Sequence, residues 1–561
     1  MKTFAAIDVG SYEQALKIYT ISKSTGIREV DCVRNRLDLG SDTYATGKVS
    51  REKMDDLCRV LREFVSIMEG YRVDDYRAYG TSAIREIKNT SIVLDQIAQR
   101  TGVKIEVLSN SEQRFLDYKS IASRGEGFER IIEKGTVVLD IGGGSIQLSL
   151  FDKDKLSFTQ NLRLGVLRLQ EKLQRLNMRP SQFGELLEEL LSAQLSVFKK
   201  MYLKDRTIEN IIVVDDYISA LIRKRLAGSR ESGYADAASF FTYLNYLNDH
   251  TDEEIAKRFD FPEENVRLLR IASAIVRQVA VLTEAKLIWA PGVTLCDGIA
   301  YEYAEAHRLL SKVHDFEQDI VTCARGISKR YMGSRRRGET LEQIALTIFD
   351  SMKKVHGLGK RERLLLRIAT LLHDCGKYIS MVNLAECSYA IIMSTEIIGL
   401  SHREREMVAN VVKYNHMEFD YGMVSTEGGA MEASEYLTIV KLTAILQISN
   451  ALDRSHRQKC RDIRAMLKEK QLIITVNTSE DITLEKGLFD NRADFFEEVY
   501  SIRPVIRQKR IGWTGGVEFI DSDLMALKAP QRKEGNDYGR KKRTSKPGIL
   551  YEPGNELAPF Q

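Results

Sequence analysis

The sequence lacks paired cysteines and any excess of one charge. Its seven cysteines are scattered, odd in number and without a Cys-x-x-Cys pair. That pattern excludes a disulfide framework or a zinc knuckle and favours reduced thiols in a cytosol. The net charge of +4 over 561 residues gives no global field of the kind that marks nucleic-acid binders. We therefore expect no specific nucleic-acid partner.

Long apolar runs are also lacking. The chain reaches Asp8 before any such run, so we expect no signal peptide. No stretch approaches the ~18 uncharged apolar residues of a membrane span. With 43% apolar and 29% charged residues, the composition is that of a soluble globular protein. These absences predict a cytoplasmic protein with no membrane partner.

Length and the order of secondary-structure signals predict several domains. A chain of 561 residues is too long for one core. Strands alternate with helices in two halves that look like weak repeats of one α/β unit, and helical spacing dominates afterwards. Short alternating segments return at Leu472–Val476, Ile482–Leu484 and Val517–Ile520. We predict lobe I over 1–125, lobe II over 126–312, a helical domain over 313–460, a small α+β region over 461–525 and a disordered, solvated tail over 526–561.

The most informative signal is a pair of matched segments, each an apolar strand that ends in an aspartate and a glycine turn. The residues are Asp8, Gly10 and Ser11 in the first segment and Asp140, Gly142, Gly143, Gly144 and Ser145 in the second. Glycine lets backbone N–H groups approach an anion, and an aspartate at a strand end can hold a divalent cation or its water. The pair predicts a clamp that grips a phosphate chain from both sides.

Further segments in the same order carry a family resemblance. They are Gly80–Asn89 with Thr81, Ser82 and Arg85, Val107–Leu116 with Glu112 and Gln113, and Gly165–Leu169. With the two glycine turns they closely resemble the exopolyphosphatase/guanosine pentaphosphate phosphohydrolase family, over roughly residues 1–505. The resemblance implies an α/β fold of two actin-like (ribonuclease-H-like) lobes, followed by an all-α HD-like domain and a small α+β region.

The resemblance also implies a chemistry. Members release the terminal phosphate of inorganic polyphosphate or guanosine pentaphosphate, with a glutamate as base and a divalent cation, Mg²⁺ or Mn²⁺. Such phosphoryl transfer needs positioning and charge neutralisation more than covalent chemistry. Carried over, it implies metal binding by Asp8 and Asp140, a catalytic role for Asp140, and a homodimer. The implied phosphate-binding residues are Gly10, Ser11, Thr81, Ser82, Arg85, Gly142, Gly143, Gly144 and Ser145.

Several residues depart from the family pattern. The register places Gln113 at the base position and Glu112 one residue before it; Glu112 becomes the base only if the loop shifts by one residue. Gln147 replaces an acid after the second turn, and Tyr12 and Glu13 follow the first turn. An amide cannot usefully accept a proton near neutral pH. The alternative is therefore a catalytically impaired sensor of polyphosphate or alarmone, or a scaffold that dimerises through amphipathic surfaces near 340–372 and 435–453.

Five of the eight histidines fall between residues 356 and 456. The His373-Asp374 pair, with His356 upstream and Asn450 or Asp453 downstream, resembles the metal set of HD phosphohydrolases. Such a site needs neutral imidazoles and carboxylates that converge on a cation. Because Asn450 stands at the better-aligned position of the final aspartate, the sequence favours a vestigial metal site. The rival interpretation is that His373 is an ordinary core histidine.

Overall fold

The computed structural model describes most of the chain. The described residues are 1–153, 155–176, 182–203, 206–222, 233–259, 261–310, 314–422, 432–460, 462–511 and 517–519. The predicted tail over 526–561 lies outside the described residues. No helix within these ranges is long and apolar enough to cross a membrane.

Lobe I is a mixed sheet covered by helices. Its strands are β1 (Lys2–Val9), β2 (Glu13–Ser22), β3 (Gly26–Arg36), β4 (Asp75–Gly80) and β5 (Glu106–Val107), and its helices are α1 (Leu39–Thr46), α2 (Arg51–Gly70), α3 (Ser82–Arg85), α4 (Thr90–Thr101) and α5 (Asn110–Ala122). The strand order is β3-β2-β1-β4-β5, with β1 antiparallel to β2 and parallel to β4. The turn after Asp8 folds β2 back on β1, so Asp8 pairs with Ala15.

Lobe II repeats this arrangement. Its elements are α6 (Glu126–Ile132), β6 (Thr136–Ile141), β7 (Ile146–Asp152), β8 (Lys155–Leu162), α7 (Val166–Arg175), α8 (Phe183–Phe198), β9 (Asn210–Val214), α9 (Asp216–Leu221), β10 (Tyr234–Asp236), α10 (Ala237–Asp249), α11 (Asp252–Phe259), α12 (Glu263–Thr283), β11 (Leu287–Trp289) and α13 (Leu295–Ala306). The strand order is β10-β11-β9-β6-β7-β8. Asp140 on β6 pairs with Gln147 on the antiparallel β7, as Asp8 pairs with Ala15. The predicted repeat of one α/β unit is thus confirmed.

Helix α13 returns to lobe I, although it follows the last strand of lobe II. It packs against α5 and β1, where Phe4 stacks on Tyr303 with ring centroids 4.0 Å apart. The two helices cross closely because Gly298 has no side chain: a Cβ there would lie 2.0 Å from the Leu116 carbonyl oxygen. Helix α5, which carries Glu112 and Gln113, therefore packs closely on α13, and α13 in turn packs on β1 of lobe I.

The region from Phe316 to Ala451 is helical, as predicted. Its helices are α14 (Phe316–Arg330), α15 (Arg335–Ser351), α16 (Lys353–His356), α17 (Lys360–Leu372), α18 (Leu384–Ser394), α19 (His402–His416) and α20 (Ala433–Ala451). Its apolar core is continuous with lobe II and with the C-terminal sheet. The faces of α15, α17 and α20, which we expected to serve dimerisation, are buried against one another inside this core.

A small α+β region follows. Its elements are β12 (Ile463–Lys468), β13 (Gln471–Asn477), α21 (Thr483–Tyr500), β14 (Arg503–Ile511) and β15 (Val517–Phe519), in the sheet order β12-β13-β14-β15. The strand signals at 472–476 and 517–519 are confirmed. The signal at Ile482–Leu484 is wrong as a strand, because Ile482 is the N-cap of α21; three alternating residues are too few to distinguish a strand from a helix start.

Candidate functional site

The two aspartate-glycine turns face each other across one cleft between the lobes. Asp8, Gly10 and Ser11 line it from lobe I, and Asp140 and 142–145 line it from lobe II. Thr81 and Ser82, at the start of α3, line it as well. The cleft has a volume of about 370 Å³, within the range of small-ligand sites. The structure thus brings together both predicted metal residues and eight of the nine predicted phosphate residues.

The second glycine turn is held by the N-terminus of α7. The amides of Val166 and Leu167 donate to the carbonyls of Gly142 and Gly143 over 3.1 and 3.0 Å. This approach requires Gly165, because a Cβ there would lie 2.3 Å from the Gly143 carbonyl oxygen. The amide of Gly143 donates to no backbone carbonyl in the described residues. It is therefore available to an anion in the cleft.

The hydroxyl groups of Ser11 and Ser82 share a partner in Tyr44. The Tyr44 hydroxyl lies 2.7 Å from Ser11 Oγ and donates to Ser82 Oγ over 3.0 Å. Burial raises the pKa of the Tyr44 phenol, so the group stays protonated. The sequence analysis missed Tyr44, because it lies in α1, outside every recognised motif. Its role is to fix the direction of two hydroxyls at the edge of the cleft.

A third carboxylate, Asp117 on α5, lies beside Asp8 and Asp140. Its side chain is buried and hydrogen-bonded to Asp140. Burial, together with the neighbouring charges of Asp140 and Asp8, raises the pKa of Asp117 well above its ordinary value. Burial also raises the pKa of Asp140 to about 6, although the Arg114 guanidinium opposes the shift. Both shifts favour the neutral form of a carboxyl group at this place in the cleft.

Asp117 was also missed from sequence, although a signal was present. It follows Gln113 by four residues on α5, and residues four apart share one face of a helix. Both side chains line the cleft. Extending the catalytic segment by one helical turn would have identified Asp117 as a candidate.

Helix α5 places Gln113 in the cleft and turns Glu112 away from it. The Glu112 carboxylate accepts from the Ser109 amide over 2.9 Å, and Ser109 Oγ accepts from the Glu112 amide over 3.3 Å. This capping box holds the first turn of the helix. Glu112 lines a different pocket, beside the helical domain. The register that aligns Gln113 with the base position agrees with this geometry, and the shifted register with Glu112 does not.

Arg85 is the predicted phosphate residue that lies outside the cleft. Its guanidinium donates to the Leu108 carbonyl, and its side chain lines the same pocket as Glu112. The expectation that Arg85 contacts phosphate directly therefore fails in this arrangement, because its guanidinium is hydrogen-bonded to the Leu108 carbonyl instead. The arginines that do line the cleft are Arg34 and Arg36 of β3.

Two departures from the family pattern also line the cleft. Gln147 is buried opposite Asp140, and its Oε1 has no hydrogen-bond partner among the described residues. The Tyr12 hydroxyl donates across the cleft to Asn265 Oδ1 of α12 over 3.1 Å. Tyr12 therefore bridges the lobes rather than presenting its ring to a phosphate.

Arg114 connects the acidic cleft to the helical domain. Its side chain is 2% exposed and forms an ion pair with Glu396, which lies between α18 and α19. Its Nη1 also donates to Thr159 Oγ1 of β8 over 3.3 Å. This guanidinium is the positive charge that opposes the upward shift of the Asp140 pKa.

The carboxylates of the cleft fit a hard divalent cation that retains water. Asp8, Asp117 and Asp140 line one cleft and offer the oxygen ligands that Mg²⁺ prefers, so a cation there would offset their crowded negative charge. No cluster of three or more His, Cys, Asp or Glu ligands is preformed within the described ranges. Mg²⁺ usually binds through one or two carboxylates and keeps several waters, so one of these aspartates with bridging waters suffices.

The predicted metal set of the helical domain surrounds an arginine. Arg337 Nη1 lies 3.2 Å from Asp374 Oδ2, and its Nη2 donates to Asn450 Oδ1 over 2.9 Å. Its Nε lies 3.5 Å from Asp453 Oδ2. His373 Nε2 lies 3.7 Å from the same Asp374 oxygen. A guanidinium thus stands where these four residues would hold a cation, which favours the vestigial interpretation.

His356 does not belong to this group. Its Nε2 bonds to the Phe349 carbonyl over 3.0 Å, and its Nδ1 accepts from the Leu358 amide over 2.9 Å. Neither ring nitrogen is left for a metal, so His356 is a satisfied core histidine. At the predicted metal set, burial lowers the pKa of His373 to about 3, which keeps its imidazole neutral.

Two models of known protein families together match most of the described chain. A model described as the Ppx/GppA phosphatase family matches residues 18–307. A second model, described as domain III of Ppx/GppA phosphatases, matches residues 322–493. The first match begins within β2, after the first glycine turn, and covers the rest of both lobes, and the second covers most of the helical domain with part of α21.

Individual curated proteins and solved structures also align with parts of this chain. Exopolyphosphatase 1 of Mycobacterium leprae is 29% identical over 29% of this chain and 47% of its own length. The guanosine-5'-triphosphate,3'-diphosphate pyrophosphatase of Photobacterium profundum is 19% identical over 84% of this chain and 91% of its own. A solved exopolyphosphatase from Cytophaga hutchinsonii aligns with a TM-score of 0.47 and 19% identity, covering 55% of this chain and 100% of that chain. This chain spans less than half the length of the first of these relatives.

Proposed function

The chain belongs to the Ppx/GppA phosphatase family, and we therefore propose that it hydrolyses the terminal phosphoanhydride of inorganic polyphosphate or guanosine pentaphosphate in the inter-lobe cleft. One observation carries the proposal: Asp8, Asp140 and both glycine turns line a single cleft that Gln113 also enters. Backbone amides and carboxylates that face one space are suited to a phosphate chain with its counter-cation.

The binding roles follow from the groups that face the cleft. The Gly143 amide and the Ser82 hydroxyl, which Tyr44 orients, would donate to the phosphate oxygens. Asp8 and Asp140 would hold Mg²⁺ or Mn²⁺, which supplies charge neutralisation when bound. Arg34 and Arg36 also line the cleft, where they pair with Glu13 and Glu264. Together these groups neutralise and orient the terminal phosphate.

The attacking water needs both orientation and a proton acceptor. The Gln113 amide can orient a water, but it cannot accept the proton. Asp117 stands one helical turn away in the same cleft, and a carboxylate there can accept a proton from water. In its ionised form Asp117 would take the water proton while the terminal phosphorus–oxygen bond breaks. The products would be orthophosphate and a chain one phosphate shorter.

A phosphate-release assay tests the proposal. The full-length protein is incubated with long-chain polyphosphate or guanosine pentaphosphate, each with Mg²⁺, Mn²⁺ or EDTA. We expect cation-dependent release from one of the two substrates, and its loss in Asp8→Asn. Asp95→Asn, an exposed aspartate on α4, is the matched control. Equal release from the wild type and from Asp8→Asn would contradict the assignment of the cleft.

The amide at position 113 favours a second candidate function, a sensor that binds polyphosphate or an alarmone with little turnover. A base contributes roughly 10²–10⁴-fold to rate, so its loss can leave binding intact while turnover becomes negligible. Isothermal titration calorimetry with the same ligands distinguishes the candidates. Binding without phosphate release supports the sensor, and the absence of binding to either ligand contradicts both.

We also propose that the protein is a cytoplasmic homodimer. The dimer is proposed from the resemblance of this chain to the family, which implies a homodimer, and no particular surface is assigned to it. The compartment is proposed from the scattered, unpaired cysteines. Sedimentation velocity at micromolar concentration tests the oligomeric state. A monomer across that range would contradict it.

A further inference from the structure

A second pocket lies in the helical domain, apart from the inter-lobe cleft. It has a volume of about 710 Å³ and is bounded by residues 381–386, the end of α19, the end of α20, and α21. No residue lines both this pocket and the inter-lobe cleft. Its volume falls within the range of small-ligand sites.

Two arginines line this pocket without acidic partners. Within the described part of the chain, neither Arg454 nor Arg492 forms an ion pair. They are close enough for each other's charge to matter: burial and the Arg454 guanidinium lower the pKa of Arg492. The carboxylate that lines the pocket, Glu386, is paired with Lys413 over 3.0 Å. Unpaired guanidinium groups that repel each other are suited to an anion, above all a phosphate.

Buried amides form the floor of the pocket. Gln447 is 4% exposed and donates to the Tyr414 carbonyl over 2.6 Å, which leaves its Oε1 without a partner among the described residues. Arg337 takes the Oδ1 of Asn450, so the Asn450 amide nitrogen turns to Asn415 Oδ1 at 3.5 Å. A buried acceptor without a partner is costly, so the floor is prepared for a ligand that donates hydrogen bonds.

Apolar side chains form the rim. Met381 is 74% exposed, Val382 is 92% exposed and Met417 is 38% exposed, and all three line the pocket. Methionine is flexible and polarisable and makes favourable contacts with aromatic rings. The rim is therefore suited to a flat, apolar group above the polar floor.

We propose that this pocket binds a phosphorylated nucleotide, with its phosphate on Arg454 and Arg492 and its base between the amide floor and the methionine rim. An inorganic phosphate chain would use only the arginines and would leave the acceptor of Gln447 and the apolar rim without a function. A nucleotide uses all three sets of groups. The guanidinium of Arg337 stands where the predicted metal set of the helical domain would hold a cation, and it orients Asn450 in the floor of this pocket.

The test uses the full-length protein labelled with ¹³C at the methionine methyl groups. Met381→Leu and Met417→Leu assign the two rim signals. AMP, GMP, ADP, GDP, inorganic phosphate and pyrophosphate are titrated separately in EDTA, since the acidic cleft requires a cation to hold phosphate. We expect at least one nucleotide to shift both rim signals in a saturable manner. We also expect pyrophosphate and phosphate to bind at least about tenfold more weakly.

Substitutions at the arginines complete the test. Arg454→Gln and Arg492→Gln should each weaken the nucleotide at least about tenfold, because each removes a charge-assisted contact. Arg464→Gln, an exposed arginine on β12 outside the pocket, should leave the affinity unchanged. Thermal melts check that each variant is folded. No shift of either rim signal with any nucleotide, or pyrophosphate binding as tightly as ADP, would overturn the proposal. Because the rim signals report this pocket alone, either outcome is independent of activity in the cleft.

Discussion

The carboxyl group of Asp117 lies beside that of Asp140 inside the inter-lobe cleft. Burial raises the pKa of Asp140 to about 6 and that of Asp117 as well, whereas an unfolded aspartate titrates near ~3.9. The folded state therefore binds more protons than the unfolded state above about pH 4. Consequently, the contribution of this pair to the free energy of unfolding falls as pH rises from about 4 through about 6.

Asp117→Asn should flatten this pH dependence and raise the free energy of unfolding of the metal-free protein at neutral pH. The asparagine amide can donate to Asp140 without ionising, so folding no longer requires the uptake of a proton at position 117. Urea denaturation in EDTA from about pH 4.5 to about pH 7.5 measures both effects. A variant with the wild-type pH dependence would contradict the raised pKa of Asp117.

The same variant should be nearly inactive in phosphate release. If Asp117 accepts the water proton, its amide lowers the rate by roughly 10²–10⁴-fold, with little change in KM. Steady-state kinetics on the substrate that the wild type turns over gives both parameters. A large rise in KM with kcat unchanged would show a binding role instead.

Gln113→Glu should raise the rate of phosphate release by roughly tenfold or more, because it adds a carboxylate at the position that faces the cleft. Glu112→Gln is the matched control on the same helical turn. It should leave both kcat and stability nearly unchanged, since a glutamine at this position can still complete the capping box of α5. A loss of activity in Glu112→Gln at full stability would mean that the register is shifted by one residue.

Mg²⁺ or Mn²⁺ should stabilise the protein against heat through Asp8 and Asp140. A cation that binds only the folded state adds about 2.7 kcal/mol at a concentration 100 times its Kd. Differential scanning calorimetry with and without the cation measures the shift in Tm. Asp8→Asn should abolish most of it, and Asp95→Asn should retain it. An unchanged shift in Asp8→Asn would place the cation elsewhere.

Arg337→Met should destabilise the helical domain by about 3–5 kcal/mol. It removes the cation from a site where Asp374 and Asp453 are both largely buried. Arg335→Met, whose side chain is 90% exposed, should change stability by less than about 0.5 kcal/mol. Urea denaturation compares the two. Equal stability of both variants would show that Arg337 does not neutralise these carboxylates.

The parts of the site that sequence could predict are those set by local chemistry. Asp8 and Asp140 stand at the ends of strands followed by glycine turns, and backbone geometry alone brings such turns to one edge of each sheet. Their meeting across a cleft follows from the repeat of the α/β unit. For the same reason the strand order around β1 and β6 could be predicted from the sequence.

The parts that escaped prediction depend on contacts between distant segments. Arg337 stands in the place of a metal cation only because the fold brings Asp374, Asn450 and Asp453 to it from later segments. No local sequence pattern marks it. Arg85 has the expected sequence context, yet the Leu108 carbonyl competes for its guanidinium. Such competition is decided by tertiary packing and cannot be read from spacing alone.

The ion pair of Arg114 with Glu396 links the electrostatics of the acidic cleft to the helical domain. No described residue of that domain lines the cleft itself. A displacement of Glu396 that drew the guanidinium away would remove the nearest counter-charge of Asp140 and strengthen its hold on a proton. The reverse displacement would favour its ionised form. The helical domain can thus tune the acidity of the cleft from outside, without presenting a single atom to the phosphate.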